Sequence, residues 1–288
     1  MTPLRRGLFL RLYFFYMIDL NSPSARRMEL IGASVLIVIV LGFTIWYMAT
    51  HQAPEPYAPF PGTVEEVVET LPPEVYEEHG TYFDIEATYP AETPLKASAS
   101  AEADAEAVSL MEDFVDETIA DFKRQGDFDN LTPADIELMG LSDTRKESIM
   151  ISYEEYAGAD TVSYVYTLYV DTLGAHPNAF FRTFTFDRLS GEELKINELF
   201  VSGSDYLGRL SAIAEFELSK SLGEFADIEY IRQGVAKDAI NFQSFAIDGE
   251  NLVLVFPPYQ VAPYAAGTQE VSIPLSQLSE ILKLEYLP

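Results

Sequence analysis

The most distinct hydrophobic pattern in the chain is the run from Leu30 to Thr50, which contains no charged residue. About 20 apolar residues in a helix are enough to span the hydrocarbon core of a bilayer. We therefore predict a transmembrane helix over residues 29–50. A cleaved signal peptide is the alternative, but its apolar core usually runs for only about 7–15 residues. Met17 and Met28 are alternative starting residues to Met1.

The charges on the two sides of this run predict its orientation. Arginines occupy positions 5, 6, 11, 26 and 27 of the basic segment formed by residues 1–28. From residue 51 onward there are 44 acidic and 13 basic residues. Positively charged flanks stay on the cytoplasmic side of a membrane. We therefore expect a single-pass protein of the cell membrane, with a cytoplasmic N-terminus and an extracytoplasmic C-terminal domain.

The pattern changes twice after the predicted membrane helix. Residues 51–74 contain six prolines, and such a segment favours an extended stalk because it can form no core. From about residue 75 onward the apolar residues recur as they do in a folded domain. We divide this domain into an N-terminal part, residues 75–170, and a C-terminal part, residues 171–288.

Within the folded domain, alternating apolar residues predict strands, and apolar residues spaced by three and four predict helices. The predicted strands cover residues 81–89, 149–153, 162–170, 180–186, 242–247, 252–256 and 269–274. The predicted helices cover residues 102–125, 205–222 and 277–282, and a further one starts at Thr132-Pro133. Ser204 is the expected N-cap of the second helix, and Asp248-Gly249 is a hairpin turn. Clustered strands with isolated helices predict an α+β fold, an antiparallel meander packed on helices.

Composition excludes several classes of function. The chain has no cysteine, so disulfides, thiolate metal sites and thiol nucleophiles are impossible. A net charge of −28 argues against binding to nucleic acid, because phosphate contacts need Lys and Arg. The three histidines, His51, His79 and His176, lack metal-ligand spacing, and neither nucleotide-binding nor hydrolase motifs occur. We therefore predict no cofactor and no metal.

Two acidic groups have a conventional interpretation and a functional one. Residues 127–130 are similar to part of a calcium loop, but they lack its glycine and its distal glutamate. Glu112 and Asp116 on the first predicted helix could serve as a pair of glycosidase carboxylates. Acidic residues on a helix surface are far more often simply solvated. We therefore assign neither calcium binding to the first group nor catalysis to the second.

Two polar and aromatic segments are the candidate sites. The first is Gly174-Ala175-His176-Pro177-Asn178 between two strands, which is either a plain turn or a rigid loop presenting His176 and Asn178. The second runs from Phe256 to Gly267. Its Tyr259 and Tyr264 either form a contact surface or pack over the end of the sheet.

These segments and three others together resemble a bacterial extracytoplasmic family of RsiV/PdaC type. Its domain is known as domain of unknown function 3298 and is usually preceded by a companion, domain of unknown function 4163. Residues 82–170 are similar to the companion, and the resemblance covers about residues 75–284. A departure is Leu173, where the family commonly has glycine. The matching segments are Gly174–Asn178, Asp187–Leu194, Leu199-Phe200, Phe245–Leu252 and Pro258–Gly267.

The resemblance implies an antiparallel sheet packed on helices at the cell envelope. In one member of the family this module is a receptor for lysozyme, and in a deacetylase member the chemistry belongs to a separate domain. We therefore expect a binding or sensing module rather than an enzyme, whose partner is a basic protein such as lysozyme or a cell-wall component like peptidoglycan. The alternatives are an envelope hydrolase that uses His176 with acidic residues, and a scaffold without a ligand.

Overall fold

The computed structural model describes residues 71–95 and 101–287. The predicted basic segment, the transmembrane helix over residues 29–50 and the stalk up to residue 70 lie outside the described residues. In the part of the chain that is described, no helix is both long enough and apolar enough to cross a membrane.

The first sheet has five strands in the order β1-β2-β3-β4-β5, and its last strand comes from the predicted C-terminal part. The antiparallel meander predicted from the sequence is confirmed for β3, β4 and β5. It is wrong for β2 and β3, which pair in parallel. A parallel pair needs a long crossover, and a helical segment provides it here. The strands are β1 (Glu74–His79), β2 (Phe83–Tyr89), β3 (Glu147–Ala157), β4 (Thr161–Asp171) and β5 (Asn178–Asp187).

The crossover contains helix α1 (Ala101–Gly126), which covers one face of this sheet, and the short helix α2 (Pro133–Met139). The predicted stripe along α1 is confirmed with one correction, because Ala107 rather than Val108 is the buried residue in its second turn. Thr132 caps α2 as predicted, and its hydroxyl accepts a hydrogen bond from the amide of Asp135. The buried α1 residues are Ala107, Met111, Val115, Ile119 and Phe122.

The core beneath α1 contains a buried tyrosine whose hydroxyl lacks a partner. Tyr166 is fully buried against Phe114, Tyr153 and Phe184, and its hydroxyl has no hydrogen bond to any described residue. An unsatisfied buried polar group costs about 1–3 kcal/mol. The substitution Tyr166→Phe should therefore raise the free energy of unfolding by about 1 kcal/mol in urea denaturation, whereas Tyr169→Phe at an exposed position should leave it unchanged. A loss of stability in Tyr166→Phe would contradict this assignment.

Glu147 is a buried carboxyl group at the start of β3. Burial, and secondarily the Asp171 carboxylate, raises its pKa. The folded state therefore binds this proton more tightly than the unfolded state, so Glu147 costs stability as the pH rises through its folded pKa. The substitution Glu147→Gln should increase stability at pH 7, by an amount that shrinks as the pH is lowered. Urea denaturation at several pH values tests this, with exposed Glu86→Gln as the control. A variant that is less stable than the parent at pH 7 would refute it.

The C-terminal part adds an antiparallel three-stranded sheet in the order β6-β7-β8, so the described residues form two sheets instead of the predicted single one. The predicted Asp248-Gly249 turn is confirmed, and Gly249 has a φ of 56°. Two helices cover the outer face of this sheet and form the second large core with it. The elements are β6 (Phe245–Asp248), β7 (Asn251–Phe256), β8 (Gln269–Pro274), α3 (Tyr206–Ser221) and α4 (Ile228–Gly234).

The two sheets pack face to face through a small apolar layer formed by Val165, Ala246, Val253 and Val255. Hydroxyl groups on the first sheet accept hydrogen bonds from the backbone amides at the edge of β6. The Ser163 hydroxyl accepts a hydrogen bond from the amide of Ile247 at 3.0 Å, and the Thr183 hydroxyl accepts one from the amide of Phe245 at 3.1 Å. The layers are therefore α1, first sheet, second sheet, and then α3 with α4.

Two local expectations in the C-terminal part were wrong, and one helix was missed. Asp205, not Ser204, caps α3, because the Asp205 carboxylate accepts a hydrogen bond from the amide of Gly208. The short helix expected over residues 277–282 is instead a 3₁₀ turn at Leu275–Leu278. Helix α4 was not predicted at all, since its seven residues are too few to establish a helical period.

Candidate binding site

The structure brings the two candidate loops into contact at the start of β5. The Nε2 atom of His176 lies 3.1 Å from the hydroxyl of Tyr259. The imidazole stacks on the ring of Tyr264, with centroids 3.8 Å apart and planes 19° from parallel. The Tyr264 hydroxyl donates a hydrogen bond of 2.9 Å to the carbonyl of Pro177. We call His176, Tyr259 and Tyr264 the aromatic site.

The hydrogen bonds of His176 assign the roles of its two ring nitrogens. The Nδ1 atom lies 2.9 Å from the Pro177 carbonyl oxygen, which can only accept. Nδ1 therefore carries a proton and donates it. In a neutral ring Nε2 is then an acceptor, and the Tyr259 hydroxyl donates to it. Both ring nitrogens of His176 are thus occupied, one by the Pro177 carbonyl and the other by the Tyr259 hydroxyl.

Tyr259 is held in a strained backbone conformation that aims its ring outward. Its φ is 71°, in the left-handed region that residues with a side chain seldom adopt. The Tyr230 hydroxyl donates a hydrogen bond of 2.7 Å to the Tyr259 carbonyl. The side-chain amide of Gln260 donates to the carbonyls of Gly234 and Asn241, both at 3.0 Å. This anchored loop leaves the Tyr259 side chain 52% exposed.

The His176 loop begins with a second residue of positive φ. Leu173 has a φ of 59°, which explains why the resembling family commonly has glycine at this position. The Asp171 carboxylate accepts a hydrogen bond of 2.8 Å from the Leu173 amide. The guanidinium of Arg145 lies 3.5 Å from the Leu173 carbonyl. These contacts keep the loop in place despite the missing glycine.

Asn178, the fourth candidate residue, is not part of the aromatic site. It is the first residue of β5 and pairs in register with Val170 of β4. Its side chain has no hydrogen bond to any described residue, so the structure does not join it to the aromatic site. Conversely, sequence reasoning missed Tyr230, Gln260 and Gly234, which position Tyr259. No local pattern marks these residues, because each acts through a contact with a distant segment.

The geometry of the aromatic site is compatible with a contact surface and with a catalytic base. The polar contacts of His176 within the described residues go to the Pro177 carbonyl and the Tyr259 hydroxyl. The Tyr259 hydroxyl therefore lies where a nucleophile would stand beside its base. Three half-exposed or partly buried rings on a rigid support also provide contact area and hydrogen-bonding groups at low entropy cost.

The acidic groups considered from the sequence lie outside this site. Glu112 and Asp116 are exposed on α1. In the segment 127–130, the side-chain amide of Asn130 donates a hydrogen bond of 2.6 Å to the Asp127 carboxylate. Among the described residues, no three His, Asp or Glu side chains are grouped closely enough to hold a metal ion.

Several known proteins are similar to parts of this chain. The peptidoglycan-N-acetylmuramic acid deacetylase PdaC of Bacillus subtilis is 35% identical over 146 residues, which are 50% of this chain and 31% of that protein. The immunogenic protein MPT64 of Mycobacterium tuberculosis is 27% identical over 122 residues, 42% of this chain and 52% of that protein. An esterase of the same organism is 26% identical over 118 residues, 41% of this chain and 51% of that protein.

The chain therefore spans between about a third and about a half of the length of these curated relatives. A crystal structure of a DUF3298 family member from Bacteroides fragilis superposes with a TM-score of 0.52 at 15% identity. The match covers 74% of this chain and 93% of that one, and it supports the fold alone.

The family model described as protein of unknown function (DUF3298) matches residues 197–276. This range begins in the loop before α3 and includes Tyr259 and Tyr264, whereas His176 precedes it. This match confirms the resemblance to the DUF3298 family that the sequence motifs indicate, over residues 197–276, whereas the similarity of residues 82–170 to the companion domain stays a prediction.

Proposed function

We propose that the chain is a membrane-anchored binding module on the outer side of the bacterial cell membrane, which recognises a cationic protein such as a lysozyme through the aromatic site. The observation that carries this proposal is the half-exposed ring of Tyr259. The Tyr259 hydroxyl donates a hydrogen bond to His176, and the Tyr259 carbonyl accepts one from Tyr230. The ring lies beside the stacked pair of His176 and Tyr264. Such rigid aromatic groups are the typical anchors of protein interfaces.

The charge of the chain supports a cationic partner. The 44 acidic and 13 basic residues after position 50 create a strongly negative field around the folded domain. Such a field raises the association rate of a positively charged protein and repels anionic wall polymers. The name of the Bacillus relative, which acts on peptidoglycan, supports a location at the cell envelope.

A hydrolase is the second candidate, and the names of the esterase and deacetylase relatives favour it. It requires His176 to act as a base. If it is correct, the purified chain should hydrolyse p-nitrophenyl esters or release acetate from peptidoglycan, and His176→Ala should abolish turnover without loss of folding. We expect no turnover above that of a buffer blank.

The proposed function is tested by calorimetric titration of the full chain in non-ionic detergent. The ligands are a c-type lysozyme and cytochrome c, two cationic proteins of similar size. At 0.15 M salt the Debye length is about 8 Å, which screens general charge attraction. We expect lysozyme to retain stoichiometric binding at this salt concentration while cytochrome c loses it. Equal loss of both ligands would show that charge attraction alone causes the binding.

A further inference from the structure

The second sheet covers only part of the first sheet's inner side. On β4, Thr161, Ser163 and Val165 are buried on this side, and Val165 belongs to the apolar layer between the two sheets. Tyr169 of the same strand is 40% exposed. Because side chains along a strand alternate between its two faces, Tyr169 points to the same side as Val165. The second sheet therefore leaves the end of β4 nearest the aromatic site uncovered.

The strand register extends this uncovered area across the first sheet. Met150 of β3 lies opposite Tyr169 and is 47% exposed. Glu86 of β2 lies opposite Met150, and Glu77 of β1 lies opposite Glu86. On the other side, Ala179 of β5 lies opposite Tyr169. Residues opposite each other in a sheet share one face, so these five form a row that we call the open face.

The open face combines apolar contact area with negative charge. Met150 and Tyr169 lie at its centre, and Glu77 and Glu86 lie at its outer end. Both glutamates are exposed, and neither forms an ion pair with a described residue. Carboxylates near an exposed aromatic ring suit a lysine or arginine side chain, which can pair with the carboxylates and lie over the ring.

The basic groups at this end of the first sheet are already paired. His79 and Lys146 both contact the Asp84 carboxylate, the imidazole Nδ1 at 2.9 Å and the ammonium at 3.1 Å. Neither basic group forms an ion pair with Glu77 or Glu86. The two glutamates are therefore available to a positively charged partner.

One partner can cover both the open face and the aromatic site. Ala179, at the inner end of the row, follows shortly after His176 in the chain. The loop that carries Tyr259 comes from the second sheet, which lies on the same side of the first sheet as the open face. Neighbouring strands are about 4.8 Å apart, so the row from Ala179 to Glu77 is about 19 Å long. This length fits within a standard protein interface, which buries about 800 Å² of each partner.

We propose that the open face is the second half of the contact surface, on which lysine or arginine side chains of the cationic protein lie over Tyr169 and pair with Glu77 and Glu86. This role of the open face rests on the function proposed above, because one partner covers both areas. Charge decides against a second copy of this chain as the occupant. With a net charge of −28, another copy would bring more negative charge to the same carboxylates.

Calorimetric titration of the full chain with a c-type lysozyme, in non-ionic detergent at about 0.15 M salt, measures the contribution of the open face. Tyr169→Ala removes the central ring and should weaken binding about tenfold. The matched control is Phe180→Ala on the neighbouring strand. Phe180 is 53% exposed, but it lies with Phe184 on the face towards α1. Its loss should therefore leave the affinity unchanged.

A pair of charge variants gives a result even if Tyr169→Ala folds poorly. Glu86→Lys and Glu280→Lys change the net charge equally, and both positions are exposed, but only Glu86 belongs to the open face. Glu86→Lys should weaken lysozyme binding about tenfold or more, whereas Glu280→Lys in the C-terminal segment should weaken it less than about threefold. Equal weakening by the two variants would show that only the overall field attracts lysozyme, and it would overturn the role of the open face.

The outcomes separate this role from the proposed function. If Tyr259→Ala weakens binding and neither Tyr169→Ala nor Glu86→Lys does, lysozyme contacts the aromatic site alone and the open face has no part in binding. If only Tyr169→Ala and Glu86→Lys weaken binding, the open face is the contact surface and the aromatic site is not. A parent chain that binds no lysozyme at about 0.15 M salt would refute both.

Discussion

Replacing Gly234 with alanine is expected to lower the free energy of unfolding by about 2 kcal/mol and to displace the loop that carries Tyr259. An added Cβ would lie 2.0 Å from the carbonyl oxygen of Gln260 and 2.9 Å from the side chain of Val261. The first contact is with backbone, so the loop itself must move. Alanine gains about 1 kcal/mol of helix propensity over glycine, which offsets only part of this cost.

Urea denaturation measures the loss of stability, and the matched control is Gly174→Ala in the His176 loop. A Cβ at Gly174 would meet no atom within 4 Å, so this substitution should change stability by less than about 1 kcal/mol. Because Gln260 is displaced only in the first variant, only Gly234→Ala should also weaken lysozyme binding. Equal stability of the two variants would contradict the close packing of α4 against the loop.

Replacing Tyr259 with alanine is expected to weaken lysozyme binding about 30-fold, the loss of roughly 2 kcal/mol that is typical of an aromatic interface anchor. The positive φ of 71° strains alanine and tyrosine alike, so folding should be preserved. Tyr259→Phe keeps the ring and loses only the hydrogen bond to His176. It should weaken binding less than about fivefold.

The control for Tyr259 is another exposed aromatic residue of similar accessibility. Phe216 on α3 is 57% exposed, close to the 52% of Tyr259, and it has no contact with the aromatic site. Phe216→Ala should leave the affinity measured by calorimetry unchanged. If Phe216→Ala and Tyr259→Ala weaken binding equally, the aromatic site is not the contact surface.

Local patterns in the sequence predicted the elements whose signal is local. The stripe along α1 follows the helical period, and the start of α2 at Thr132 follows from the capping preferences of single residues. The meander from β3 to β5 follows from short turns between alternating segments. In each case the information lies within a few residues of the structure that it specifies.

The pairing of β2 with β3 and the separation into two sheets could not be predicted in this way. Both depend on partners that are far apart in the chain, such as the hydroxyls of Ser163 and Thr183 on the edge of β6. The wrong N-cap of α3 has a different cause. Ser204 and Asp205 are adjacent and both favour capping, so only the backbone geometry decides between them.

The candidate site was predicted as two separate loops, and their contact became visible only in the structure. His176 and Tyr259 are 83 residues apart in the chain. Their residue types marked each loop as a candidate, but the stacking of His176 on Tyr264 and the anchoring of Tyr259 by Tyr230 are tertiary contacts. The predicted transmembrane helix over residues 29–50 stays a prediction, as does the extracytoplasmic location.

Hydrogen–deuterium exchange of the full chain with and without lysozyme, at about 0.15 M salt, tests the central proposal most directly, because it locates the contact surface without any substitution. The account predicts that lysozyme protects the amides of residues 173–178 and 257–267, the two loops of the aromatic site. Protection confined to the acidic outer face of α1, or no protection at a saturating concentration of lysozyme, would contradict it.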